Sequence, residues 1–215
     1  MGNRAVITTE ENWKHDGVGI YLHWNGGRDS VEGFLKYCEL KGYRSHDSSY
    51  GLARLAQVIG NFFGGTLSLG IDTLWHLDCD NGDNGVYIIK DWKIVNRVYF
   101  NGVEQHEYPL KEMLSAIDGR MPENERFGDE FIENDPVPVG ELEVGDKVYV
   151  VDDGKAEIQE IVGIGKDCMV NGTNVHGIPY TNLYGYDGRY DHNINNYLLQ
   201  PAYVRHVEKP LDKVL

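Results

Sequence analysis

Gly26-Gly27 joins an apolar run, Val18 to Trp24, to a helix-patterned segment beginning at Asp29, and a chain that passes from strand to helix through adjacent glycines has few ways to fold. With no Cβ, glycine lets the backbone turn sharply and approach a neighbour closely. Ile20, Leu22 and Trp24 alternate with Tyr21 and His23, the period of a strand with two unlike faces. Beyond the glycines, Val31, Phe34, Leu35 and Cys38 recur at i, i+3, i+4 and i+7, one face of a helix, and Asp29 stands three residues before Glu32, the spacing of a capping box. The pattern predicts a strand, a tight junction and a helix that ends at Gly42.

The flanking segments extend this unit. Arg4 to Thr8 is a short β-branched run that pairs naturally with Val18–Trp24 as an antiparallel ribbon, the polar residues between them forming the turn. Leu52, Leu55, Ala56, Ile59, Phe62 and Phe63 mark a second helix stopped by Gly64-Gly65. The pattern then changes to strands over Leu67–Ile71, Leu74–Cys79, Val86–Trp92 and Ile94–Phe100, with turn-type strings at Asp80–Gly85 and Asn101-Gly102, which predicts a meander. Pro109, with Leu110, Met113, Leu114 and Ile117, opens a third helix that closes at Asp118-Gly119. The expectation for residues 1–122 is an α+β domain, a mostly antiparallel sheet with helices packed on it.

Residues 123–160 carry thirteen acidic side chains against Arg126, Lys147 and Lys155, a net charge of −10 within a chain whose total is −14. The proline-spaced Asp135-Pro136-Val137-Pro138 reads as a stiff linker, so residues 123–138 are expected to form an acidic connector. From 139 to 215 the short strand-like runs Leu142–Val151, Ile158–Ile164 and Cys168–Val170, separated by glycine-containing turns, predict a small SH3-like β-barrel.

Charge and cysteine usage narrow the function classes. A net charge of −14 disfavours direct nucleic-acid binding, which needs clustered Lys and Arg. Cys38, Cys79 and Cys168 are too scattered for a disulfide framework or a zinc site, as expected for a reducing compartment. No apolar run has the length of a secretory signal or a membrane span, so a cytoplasmic protein without membrane partners is expected. The pattern assigns no catalytic residue, no metal and no cofactor.

Three clusters carry possible chemistry. Asn25 to Ser30 resembles the glycine-rich phosphate loop of ATP pyrophosphatases, in which a serine usually stands in place of Asn25 and the helix leads straight into a parallel strand, whereas here it leads into another helix and then a meander. On that alternative Gly26, Gly27, Arg28, Asp29 and Ser30 bind phosphate and the protein is a nucleotide-using enzyme; the other reading is a capped helix start. His23 and Trp24 end one strand while His76, Asp78, Cys79 and Asp80 end another, offering a Cys–His pocket or a turn held by Asx side chains. Tyr180, Tyr184, Tyr186 and Tyr190 form either an aromatic binding surface or the packing of a long loop.

Met1-x-x-Arg4-Ala5-x-Ile7 and Ile20-Tyr21-x-His23-Trp24-x-Gly26 resemble the first half of a set of small, uncharacterised phage and prophage proteins. The resemblance implies accessory phage biology, in which acidic proteins that disable host defences are frequent, and it transfers no catalytic residue. Combined with the acidic run, it leads to the expectation of an anti-CRISPR-like inhibitor acting in the host cytoplasm. Glu130, Glu133, Asp135, Glu141 and Glu143 would meet a host protein with a basic surface, in possible imitation of nucleic acid. A phage structural or assembly protein, recognised by self-association, is the third class.

Overall fold

The computed structural model describes residues 2–45, 48–65, 68–104, 107–135, 145–152, 154–164, 169–174, 179–185, 198–199 and 204–206. The chain divides into two compact units, Met1–Arg126 and Phe127–Leu215.

The first unit is α+β. In chain order it runs β1 (Ala5–Thr9), α1 (Glu10–Lys14), β2 (Val18–Leu22), α2 (Arg28–Leu40), α3 (Ser48–Phe63), β3 (Leu69–Thr73), β4 (Val86–Lys90), β5 (Lys93–Val98) and α4 (Leu110–Asp118), followed by a single 3-10 turn at Glu123–Glu125. The sheet order is β3-β2-β1-β4-β5. Three neighbouring pairs are antiparallel, and β1 with β4 is parallel, Val6 lying opposite Val86 and Thr9 opposite Ile89.

Register assigns the two faces of the sheet. Ala5, Ile7, Ile20, Leu22, Tyr87 and Ile89 share one face, and all are nearly or fully buried. The amphipathic helices supply the cover: α2 buries Val31, Phe34, Leu35 and Cys38, the four positions its periodicity marks, and α3 buries Leu55, Val58 and Ile59. Each such aliphatic or aromatic side chain removed from water contributes about 1.5–3 kcal/mol. At Gly33 of α2 a Cβ would stand 2.4 Å from Met113 Cγ, so α4 crosses α2 at a point that only glycine leaves open. On the opposite face Val6, Val86 and Ile88 form a cluster covered by Trp13 of α1 and by Leu74, Leu77 and Cys79.

Several local expectations are corrected. Leu74–Cys79 is not a strand but a turn segment, whose leucines cap the second face of the sheet. The strands after α3 do not form a meander: β3 takes the edge beside β2, while β4 inserts next to β1. Val86, Tyr87, Ile88 and Ile89 are all buried, as a strand covered on both faces must be, and an unbroken apolar run of that kind belongs at the centre of a sheet. The polar link between β1 and β2 contains α1, which is capped by the Thr9 side chain accepting from Asn12 N. Gly27, not Asp29, is the N-cap of α2, so Asp29 and Glu32 form no capping box; Glu32 instead accepts from Arg28 Nε at 2.7 Å.

In the second unit, α5 (Asp129–Glu133) precedes β6 (Lys147–Asp152), β7 (Lys155–Ile164), β8 (Met169–Asn174), β9 (Pro179–Gly185), β10 (Leu198–Leu199) and β11 (Val204–His206). These strands form one sheet in the order β10-β9-β8-β7-β6-β11, antiparallel throughout except where β10 joins β9. Among the described residues no helix is long and apolar enough to cross a membrane.

Candidate functional site

The glycine junction lies between β2 and α2, and Gly26, Gly27 and Ser30 in it are buried. Asn25 takes a φ of +53°, a conformation Asn tolerates, and turns the chain so that Gly26 N–H donates to Asn3 O at 2.8 Å. A Cβ at Gly26 would stand 2.6 Å from that oxygen and 2.7 Å from Ala5 Cβ, so the glycine is required where the loop lies against β1. Gly26 O accepts from the buried Tyr87 hydroxyl at 3.0 Å, tying the loop to β4. Gly27 O accepts from Val31 N at 3.0 Å, which begins the helix ladder.

The charged residues of the same string are engaged as well. Arg28 pairs with Glu32 at 2.7 Å and Glu104 at 3.6 Å. Asp29 accepts from Ser30 N through Oδ1, and through Oδ2 from Glu107 N at 2.6 Å and Tyr108 N at 2.8 Å, so it anchors the segment that leads into α4. Ser30 is 1% exposed, with Asn25 Nδ2 3.5 Å from its hydroxyl. A phosphate loop needs amides and a cation facing outward; here the Gly26 amide faces β1 and the Arg28 guanidinium is held by two carboxylates.

The acidic residues of α5 sit on an apolar base. Phe131 and Ile132 are 0% and 1% exposed, whereas Glu130, Glu133 and Asp135 are exposed. Phe127 stacks on Phe131 with centroids 4.8 Å apart, and Phe131 meets Tyr149 of β6 edge-on at 6.1 Å. The Tyr149 hydroxyl donates to Glu130 Oε2 at 2.6 Å. Burial, reinforced by that carboxylate, pushes the Tyr149 phenol up to about 12, so it remains a donor across the physiological range. A five-residue helix has little intrinsic stability, and these aromatic contacts hold it in place. Glu141 and Glu143 lie outside the described residues.

The histidine and cysteine candidates are not brought together. His23 Nδ1 lies 3.1 Å from the Tyr21 hydroxyl, with Trp24 edge-on to its ring, while His76 Nδ1 lies 3.2 Å from Asp72. Cys79 donates to Leu74 O and burial raises its thiol pKa, the setting of a packed thiol and not of a nucleophile. Asp78 and Asp83 flank Arg4 at 3.4 and 2.8 Å, and the buried Asn81 side chain bonds Asp78 O, Gly85 O, Asp83 N and Gly85 N, so this string is a turn organised by an Asx side chain. Tyr180 and Tyr184 belong to β9, and Tyr186 and Tyr190 lie outside the described residues.

One site was missed from sequence. The chain leaves β1 through α1 toward β2 on one side, and leaves β4 toward β5 on the other, so the carboxyl ends of the two parallel strands diverge. Crevices of open sheets form where neighbouring strands send their connections in opposite directions, and a cavity of about 380 Å³ lies there. Its floor is Gly51, Leu52, Ile89 and Trp92, and its rim carries Glu10, Glu11, Asp91, Lys14, His15 and Lys90. Asp91 and Trp92 have φ of +49° and +56°, the geometry a two-residue hairpin turn usually obtains from Asn-Gly. Two bonds hold this turn: Trp92 Nε1 donates to Tyr43 O at 2.8 Å and Ser45 Oγ donates to Asp91 Oδ1 at 3.0 Å.

No protein-family model matches the chain, and neither a curated protein nor a solved structure does.

Proposed function

We propose that this is a phage or prophage accessory protein that acts by binding: an acidic, anti-CRISPR-like inhibitor of a host nucleic-acid-handling defence protein. It docks in the host cytoplasm through Glu130, Glu133, Asp135, Glu141 and Glu143. The observation that carries the reading is the uneven charge of the two units. Residues 127–215 hold 16 acidic and 7 basic side chains, a net of −9, while the longer 1–126 holds 18 and 13, a net of −5.

The local packing supports it. Phe131 and Ile132 anchor α5 from beneath, and Tyr149 fixes one of its carboxylates, so part of the negative charge stands on a folded base with little conformational freedom left to lose on binding. A nucleic-acid-handling protein offers the complementary field, and charge of this kind accelerates encounter with a basic groove. In the same reading the second unit folds as an SH3-like barrel over 139–215. This draws on the consecutive antiparallel pairing of β6 through β9 and the return of β11 to β6.

The test is capture of a defined partner from host extract, followed by reconstitution from the two purified proteins. The expected result is a complex with a basic nucleic-acid-handling protein whose affinity falls as salt rises from about 50 to 300 mM, over which the Debye length contracts from about 14 to about 6 Å. A partner without a basic surface, or an affinity unchanged by salt, would overturn the proposal.

A further inference from the structure

We infer that the crevice at the carboxyl ends of β1 and β4 is a receptor for an arginine side chain presented by a basic partner, a reading that rests on the proposed docking function and gives it a second, pocketed contact. The match is one of shape and chemistry. Arginine combines an aliphatic stem with a flat cationic head, and such side chains lay their stems on apolar surface while the head seeks carboxylates. The crevice has that order of surfaces: an apolar floor of Leu52, Ile89 and Trp92 beneath a rim bearing Asp91, Glu10 and Glu11. Its volume of about 380 Å³ admits one long side chain, not a folded element.

The rim keeps a net negative charge, because Glu10, Glu11 and Asp91 outnumber Lys14 and Lys90 by one. Glu10 receives Lys14 on Oε1 at 2.9 Å and Lys90 on Oε2 at 3.1 Å, so one carboxylate spans the two diverging strand ends and holds both ammonium groups. The Asp91 carboxylate follows Lys90 in the chain and is met by a neutral hydroxyl, that of Ser45. Trp92 also lines the crevice, and an indole is a surface on which a guanidinium stacks. Non-glycine residues at positive φ are uncommon and cluster where a site over-determines its backbone; here two in succession, Asp91 and Trp92, both line the crevice.

The experiment uses the full chain, labelled with ¹⁵N, and follows the Trp92 indole N–H, identified by its disappearance in Trp92→Phe. The probe is Nα-acetyl-arginine amide, with Nα-acetyl-norleucine amide as the stem without its charge. A saturable shift of the Trp92 signal with a dissociation constant on the order of millimolar is expected. The norleucine probe and the Asp91→Asn variant should each bind at least about fivefold more weakly. Asn adopts positive φ as readily as Asp, so the remaining spectrum of that variant should be unchanged. No saturable shift, equal response to the norleucine probe, or undiminished binding by Asp91→Asn with an intact spectrum would each overturn the inference. A salt-sensitive partner complex from a protein that ignores the arginine probe would overturn the crevice alone, whereas arginine binding without any partner complex would support the crevice and count against the docking function.

Discussion

The hydroxyl of Tyr149 donates to Glu130 Oε2 at 2.6 Å, so strand β6 holds the short acidic helix through a phenol that is itself only 7% exposed. That phenol has its pKa raised to about 12, first by burial and then by the carboxylate it serves. A group whose folded pKa exceeds its unfolded value of about 10 stabilises the fold fully below the lower value and loses that contribution as pH rises through the higher one. Tyr149→Phe should therefore cost about 1 kcal/mol at pH 8, with the difference from the wild type shrinking between pH 10 and 12. Urea denaturation of both proteins across that range is the check, and a difference constant up to pH 12 would contradict the assignment.

Gly26→Ala should destabilise the first unit by about 2–3 kcal/mol, because the added methyl would stand 2.6 Å from Asn3 O and 2.7 Å from Ala5 Cβ, and β1 is a central strand. Chemical denaturation reads the loss. A variant as stable as the wild type would mean that the loop does not lie against β1.

Asp29→Ala removes the acceptor of Ser30, Glu107 and Tyr108 amides and should cost about 1–2 kcal/mol, with faster hydrogen exchange at 107 and 108. Calorimetry of the wild type with ATP and magnesium should show no saturable heat. Saturable ATP binding, lost in Asp29→Ala while exchange at 107 and 108 stays slow, would instead revive the phosphate-loop alternative.

Arg97→Lys should cost about 2 kcal/mol, although the charge is kept. Arg97 donates from Nη1 to both oxygens of Glu104 at 2.6 and 2.7 Å, from Nε to Asn84 O and from Nη2 to Asn84 Oδ1, and lies over the Tyr87 and Phe100 rings. A lysine has neither the planar fork nor the stacking face. Thermal denaturation of the variant is the measurement.

The elements with strong periodicity could be read from the chain directly. Val31, Phe34, Leu35 and Cys38 are buried as their spacing requires, and Arg4–Thr8 with Val18–Trp24 contains the antiparallel pair β1–β2, because helix and strand periods are local properties of the sequence. Neighbour relationships were not. An apolar run such as Val86–Ile89 announces a buried strand without naming what it pairs with, and its place beside β1 depends on residues far apart in the chain. Leu74 and Leu77 look like alternate strand positions, yet their role is to cover a sheet already formed.

The glycine string was ambiguous for a related reason. A phosphate loop and a close backbone crossing both demand glycine, and only the proximity of Gly26 to Asn3 and Ala5 separates them. The crevice had one local sign. Lys90-Asp91-Trp92-Lys93 occupies a two-residue hairpin turn without glycine or asparagine, a departure from ordinary turn chemistry that points to a site, but only once β4 and β5 are known to pair across it.

The most direct test of the docking account is a side-by-side titration of the identified host partner with wild type and with a variant carrying Glu130→Gln, Glu133→Gln, Asp135→Asn, Glu141→Gln and Glu143→Gln, each at low and high salt. The account predicts that the variant keeps its fold, binds at least about a hundredfold more weakly at low salt, as loss of several charge-assisted contacts implies, and shows a shallower dependence on salt. Equal affinity and an equal salt slope for the two proteins would contradict it.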